Sequence, residues 1–129
     1  MSAPSPDDLI RSHLETLEAA PGDREAFEAL EALYEQASRW EDLIVLYEGR
    51  ARVQEPGAPL LAKAASLAQA KLRNVARAEE LFRQLLRQDP VHVAALRSMV
   101  EILEAREDWL ALAAALERQA NAASDPGEA

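Results

Sequence analysis

The chain has 129 residues, 49% hydrophobic and 5% aromatic, with no cysteine and a formal charge of −9. That length can bury a core without staples, while the missing thiols exclude a disulfide scaffold and fit a reducing, cytoplasmic setting. The acidic surplus argues against nucleic-acid binding, which needs a basic footprint, and no apolar run reaches the roughly 20 residues of a membrane span.

Met1 to Asp8 has neither the basic nor the apolar region of a secretory signal. A leading helix is expected over about 6–20, where Leu9, Ile10, His13, Leu14 and Leu17 recur at helical spacing. Pro21-Gly22 ends it. Phe27, Leu30, Leu33, Tyr34 and Ala37 form the next stripe, then Leu43, Leu46, Tyr47 and Ala51. Pro56-Gly57 and Pro59 mark a second joint, followed by stripes over Leu60 to Leu72 and over Ala78, Leu81, Phe82 and Leu85. After Asp89-Pro90 come Leu96, Met99, Val100, Ile102 and Leu103, then Leu112, Leu116 and Ala120, with Asp125-Pro126-Gly127 as a last joint. Short turns fall near Ser38-Arg39, Arg73-Asn74 and Glu107-Asp108, whose polar side chains are suited to capping the helix that follows. The pattern predicts seven helices in a single domain over 1–129, as a leader and three hairpins at about 23–53, 58–88 and 91–122, with a short tail at 123–129.

Part of this pattern repeats after 69 residues. Pro21, Ala26, Glu35, Trp40, Leu43, Glu48 and Ala51 return in order as Pro90, Ala95, Glu104, Trp109, Leu112, Glu117 and Ala120. Such a spacing fits two units of roughly 34 residues, the period of a helix–turn–helix array. Charge is unevenly spread along the chain. The net values over 1–22, 23–55, 56–90 and 91–129 are −3, −5, +3 and −4, a basic middle between acidic ends.

The stretch Ala78 to Pro90, with its small residue at Ala78, aromatic at Phe82 and closing Pro90, resembles the second helix of a tetratricopeptide repeat (TPR). Trp40, Trp109 and Tyr34 also fall at aromatic positions of that family. The resemblance spans about 7–122 and implies an all-α, right-handed α-solenoid of three TPR-like hairpins behind one leading helix. It departs from the family at the helix crossings, where Glu31, Ser66 and Val100 replace small first-helix residues and Leu43 and Leu112 replace small second-helix ones.

By the same resemblance, the first helix of each hairpin lines a concave groove. Its exposed positions would include Glu25, Glu28, Ala32, Glu35 and Gln36, then Lys63, Ala64, Leu67 and Lys71, then Arg97, Ser98, Glu101 and Glu104. Lys63 and Lys71 are the chain's two lysines, and with Arg97 they suit an acidic segment, as Glu25, Glu28 and Glu35 suit a basic one. The family's carboxylate clamp is missing, since Glu28, Ala32, Ala64, Ala94 and Ser98 stand at its sites. The implied function is a non-enzymatic scaffold or adaptor that binds a protein or peptide partner.

Enzymatic chemistry has little support. His13 and His92 lie in different elements with no second ligand at metal spacing. Gly22, Gly49, Gly57 and Gly127 form no phosphate-cradling loop, and the glutamates read as a solvated face. No catalytic residue, metal or cofactor is expected; a helical hydrolase with a carboxylate site is the enzyme alternative. Trp40 and Trp109 are expected to pack rather than stack on a ligand. The last helix, Trp109 to Leu116, is apolar nearly all round, which predicts burial on both sides. It offers the other reading, a self-assembling subunit that forms homo-oligomers through Leu110, Ala113 and Ala114.

Overall fold

A computed structural model describes residues 3–124. The Asp125-Pro126-Gly127 joint lies outside the described residues. Those described form seven α-helices: α1 (Pro6–Ala19), α2 (Arg24–Gln36), α3 (Trp40–Val53), α4 (Ala58–Ala70), α5 (Val75–Gln88), α6 (Val93–Arg106) and α7 (Trp109–Ser124). No helix among the described residues is long and apolar enough to cross a membrane.

Five of the seven helices start at a side-chain cap, α3 and α4 being the exceptions. Ser5 and Asp8 form a reciprocal capping box ahead of α1, with Pro6 in the first turn, where its missing N–H costs nothing. The Asp23 carboxylate accepts from the Ala26 N–H at 2.9 Å. Its counterpart 69 residues on is His92, whose Nδ1 accepts from the Ala95 N–H at 3.1 Å. Asn74 caps α5 through the Arg77 N–H at 3.1 Å, and Asp108 caps α7 through the Ala111 N–H at 3.3 Å.

Ser38, by contrast, makes no cap. It takes a left-handed backbone with φ of 55°, as do Arg73 at 51° and Glu107 at 59°. Each of the three closes the first helix of a pair, where a left-handed residue lets the chain reverse and pair the last carbonyls. Arg39 N–H donates to the Tyr34 carbonyl at 2.9 Å, and Asp108 N–H donates to the Leu103 carbonyl at 3.1 Å. The intervals between these residues reproduce a period near 34 in the backbone itself.

Extensive helix packing is confined to neighbours in chain order, from α1 on α2 through to α6 on α7. The core follows as one continuous seam. Leu30, Ile44, Leu81 and Leu85 are fully buried in it, and Leu43, Leu61 and Leu96 nearly so. At its centre α4 packs against both α3 and α5. Ala64, Ala65 and Ala68 are fully buried there, and small side chains let helices on both sides approach closely. Ala64 is therefore not a groove residue: the central position of α4 encloses it.

Gly57 is needed for a close approach. A Cβ there would stand 2.5 Å from the Ala51 carbonyl oxygen at the end of α3. The tight joint between the first two hairpins depends on that missing methyl.

A partly buried set of ion pairs ties α5 to α3 and to α6. Arg77 of α5 reaches Glu48 of α3 at 2.5 Å and Glu41 at 3.1 Å, while the Gln84 side-chain amide donates to Glu48 at 3.0 Å. Farther along, the buried Glu79 of α5 pairs with Arg83 and with Arg106 of α6.

The two tryptophans differ. Trp40 is partly buried against the core, but Trp109 is 61% exposed. The expectation that both pack holds for Trp40 alone within this chain. Likewise α7 is buried on one side, through Leu112, Ala115 and Ala122, with Leu110 and Leu116 exposed. Among the described residues, the burial on both sides expected for α7 is not met.

Candidate functional site

Between α2 and α4 runs an open cleft of about 500 Å³, lined by Glu31, Glu35, Leu43, Tyr47, Ala62, Lys63, Ser66, Leu67, Ala70 and Lys71. The helical repeat explains its walls. Glu31 and Glu35 are four apart on α2 and so share a face. Lys63, Leu67 and Lys71 follow the same spacing along α4 and the residue that ends it.

Leu43 and Tyr47 of α3, both buried, make an apolar floor. The Tyr47 hydroxyl donates to Glu31 at 2.5 Å. Burial pushes the Tyr47 phenol far above its ordinary range, and the bond to Glu31 and the nearby Glu35 charge push it further. It therefore stays a neutral donor and fixes the Glu31 carboxylate at the foot of one wall.

The opposite wall is positive. Lys63 Nζ stands 5.8 Å from the centre of the Tyr47 ring, and Lys71 Nζ stands 5.2 Å from that of Trp40. Each ammonium rests on an aromatic face, which holds the long side chain over the cleft. Both lysines are exposed, Leu67 is half-buried, and Ala62, Ser66 and Ala70 keep the wall low. An apolar floor with an acidic and a basic edge suits a peptide segment that has an apolar anchor and charges of both signs.

Of the residues expected in the groove, Glu35, Lys63, Leu67 and Lys71 meet at this cleft. Glu25, Glu28 and Gln36 lie exposed on α2 and do not line it, and Arg97, Ser98 and Glu101 lie on α6, outside it. Tyr47, Glu31, Ser66 and Trp40 were read from the sequence as packing or crossing residues. Their contribution here was detectable only in the spacing that sets Tyr47 under Lys63 and Trp40 under Lys71.

A second cleft, of about 370 Å³, opens between α1, α2 and α3, lined mainly by Leu14, Leu17, Phe27, Tyr34, Val45 and Leu46. Arg50 lies across its floor, 5.0 Å from the centre of the Phe27 ring. It contains none of the expected site residues, and its walls are stripe residues of stacking helices. Among the described residues no group of three His, Asp or Glu is arranged to hold a metal.

No protein-family model matches the chain, and no curated protein is similar to it.

Proposed function

We propose that this protein is a non-enzymatic interaction module, a right-handed TPR-like solenoid of the cytoplasm, which docks a partner protein or peptide in the α2–α4 cleft. The observation that supports this most is the opposition of Glu31 and Glu35 to Lys63 and Lys71 across the floor of Leu43 and Tyr47. The occupant is a short segment with an apolar side chain on that floor. Its acidic group meets Lys63 and Lys71, and its basic group meets Glu31 and Glu35. Glu25, Glu28, Gln36, Arg97, Ser98 and Glu101 extend the surface on either side for a longer partner. Charge at the two rims sets orientation and encounter rate more than affinity.

The test is a peptide-display selection against the wild-type chain. Recovered peptides carry acidic and apolar residues within one or two helical turns and bind the Lys63→Glu/Lys71→Glu variant at least about tenfold more weakly, a loss of ~1.4 kcal/mol. Peptides that bind both proteins equally would place recognition away from the cleft.

A further inference from the structure

The cleft between α1, α2 and α3 has apolar walls and two polar ends. Leu14 and Leu17 of α1 face Val45 and Leu46 of α3 along its length. Arg50 and Pro21 stand at one end, beside Phe27, and Tyr34 and Asp42 stand at the other. Asp42 and Arg50 are eight residues apart on α3, which separates the ends by about 12 Å. The volume of about 370 Å³ falls in the range of small-molecule sites.

Both ends carry polar groups that are not fully met. Nε of Arg50 donates to the Gln54 side chain at 3.1 Å and Nη1 to the Pro21 carbonyl at 3.5 Å, while the guanidinium lies over the Phe27 ring. These contacts hold the group in place. Among the described residues no carboxylate pairs with it, and Nη2 makes no hydrogen bond. Tyr34 is 4% exposed and lines the cleft, yet its hydroxyl has no hydrogen-bond partner among the described residues. Burial first, and the Asp42 charge second, raise its phenol, so it stays a neutral donor. Asp42 is itself met by Arg39 Nε at 2.7 Å. The cleft thus offers a cation at one end and a hydroxyl at the other.

We propose that this cleft binds a medium-chain aliphatic acid with an oxygen at its far end, such as a terminal hydroxy acid. The carboxylate pairs with Arg50, and the chain lies along Leu14, Leu17, Val45 and Leu46. The terminal oxygen accepts from Tyr34. A peptide suits this lining poorly, because every residue brings an N–H and a carbonyl, while the side chains between the two ends are hydrocarbon. A plain fatty acid would lay its methyl end on the Tyr34 hydroxyl and leave that donor unmet. This inference is independent of the α2–α4 cleft, whose lining residues are different.

Calorimetric titration of the full chain with ω-hydroxydecanoate, decanoate and decanol tests it. The hydroxy acid binds saturably, at least about tenfold more tightly than either of the others. Arg50→Gln weakens it by about tenfold or more, whereas Arg52→Gln, which removes an exposed charge outside the cleft, binds it like the wild type. Tyr34→Phe keeps the ring in the core and erases the preference over decanoate. Gly49 lines the cleft, and a Cβ there meets nothing within 4 Å. Gly49→Leu therefore folds, leucine being the better helix former, but its side chain fills the cleft and abolishes binding. A wild type that binds none of the three saturably overturns the inference. So does equal affinity for the two acids, or binding that survives Arg50→Gln and Gly49→Leu undiminished.

Discussion

Arg77 grips Glu48 with two nitrogens, Nη2 at 2.5 Å from Oε1 and Nη1 at 3.4 Å from Oε2, and so joins α5 to α3 across one hairpin joint. The pair is 17% and 12% exposed, and Glu41 and Gln84 complete it. Paired geometry of this kind fixes orientation as well as adding energy. Removal of Arg77 leaves a largely buried carboxylate without its cation. Arg77→Ala is expected to lower the unfolding free energy by roughly 2 kcal/mol, read from urea denaturation.

The same pair predicts a pH dependence. Burial raises the Glu48 carboxyl, but the hydrogen bonds from Arg77 and Gln84 outweigh it, and the group rests below its ordinary 4.5. A carboxylate whose folded value is depressed adds stability above its unfolded value and loses it as pH falls through the folded one. The stability difference between wild type and Glu48→Gln should therefore be constant near neutrality and shrink below about pH 4.5. Urea midpoints at several pH values measure it; a difference that grows in acid would contradict the assignment.

Tyrosine titration reports on the cleft floor. Tyr34 and Tyr47 are the two tyrosines, and burial leads the upward shift of both. The ultraviolet phenolate band should stay weak at pH 10, the usual midpoint. Glu31→Gln should bring Tyr47 down while leaving it above 10, because burial outweighs the Glu31 bond. Half-ionisation of both tyrosines at pH 10 would show an open floor.

Gly57→Ala sets a methyl 2.5 Å from a backbone oxygen, which cannot swing aside as a side-chain tip could. The joint between α3 and α4 must shift, and a loss of about 1–3 kcal/mol is expected. Gly22→Ala, where nothing stands within 4 Å of the added Cβ, serves as the neutral control in the same thermal-melting experiment.

Trp40 and Trp109 should part company on substitution. Truncation of the half-buried Trp40 removes core packing and its contact with Lys71, and Trp40→Ala is expected to cost roughly 2 kcal/mol. Trp109→Ala, at a ring that is 61% exposed, should cost less than about 0.5 kcal/mol. Equal losses in chemical denaturation would mean that Trp109 is packed within its own chain.

Helix periodicity, proline and glycine joints and the echo of Trp40 at Trp109 made the seven helices legible, because each rests on local spacing. What escaped the sequence depends on neighbours. Ala64 resembles an exposed groove residue until α3 and α5 close over it. Ser38 resembles a cap, yet the turn needs a left-handed residue at that point. Trp109 repeats Trp40 in sequence, yet among the described residues no helix shelters it as α4 shelters Trp40. At the cleft, Lys63 and Lys71 were readable as a pair on one helix face. Tyr47 passed as core because only the tertiary arrangement sets it between a lysine and a glutamate.

Amide-shift mapping of a display-selected peptide on the isotopically labelled chain tests most directly where recognition occurs. Perturbations should concentrate on Glu31, Glu35, Tyr47, Lys63, Leu67 and Lys71, and be lost when Lys63 and Lys71 are both changed to Glu. Perturbations gathered instead on Leu14, Val45 and Arg50, or spread evenly over the surface, would contradict it.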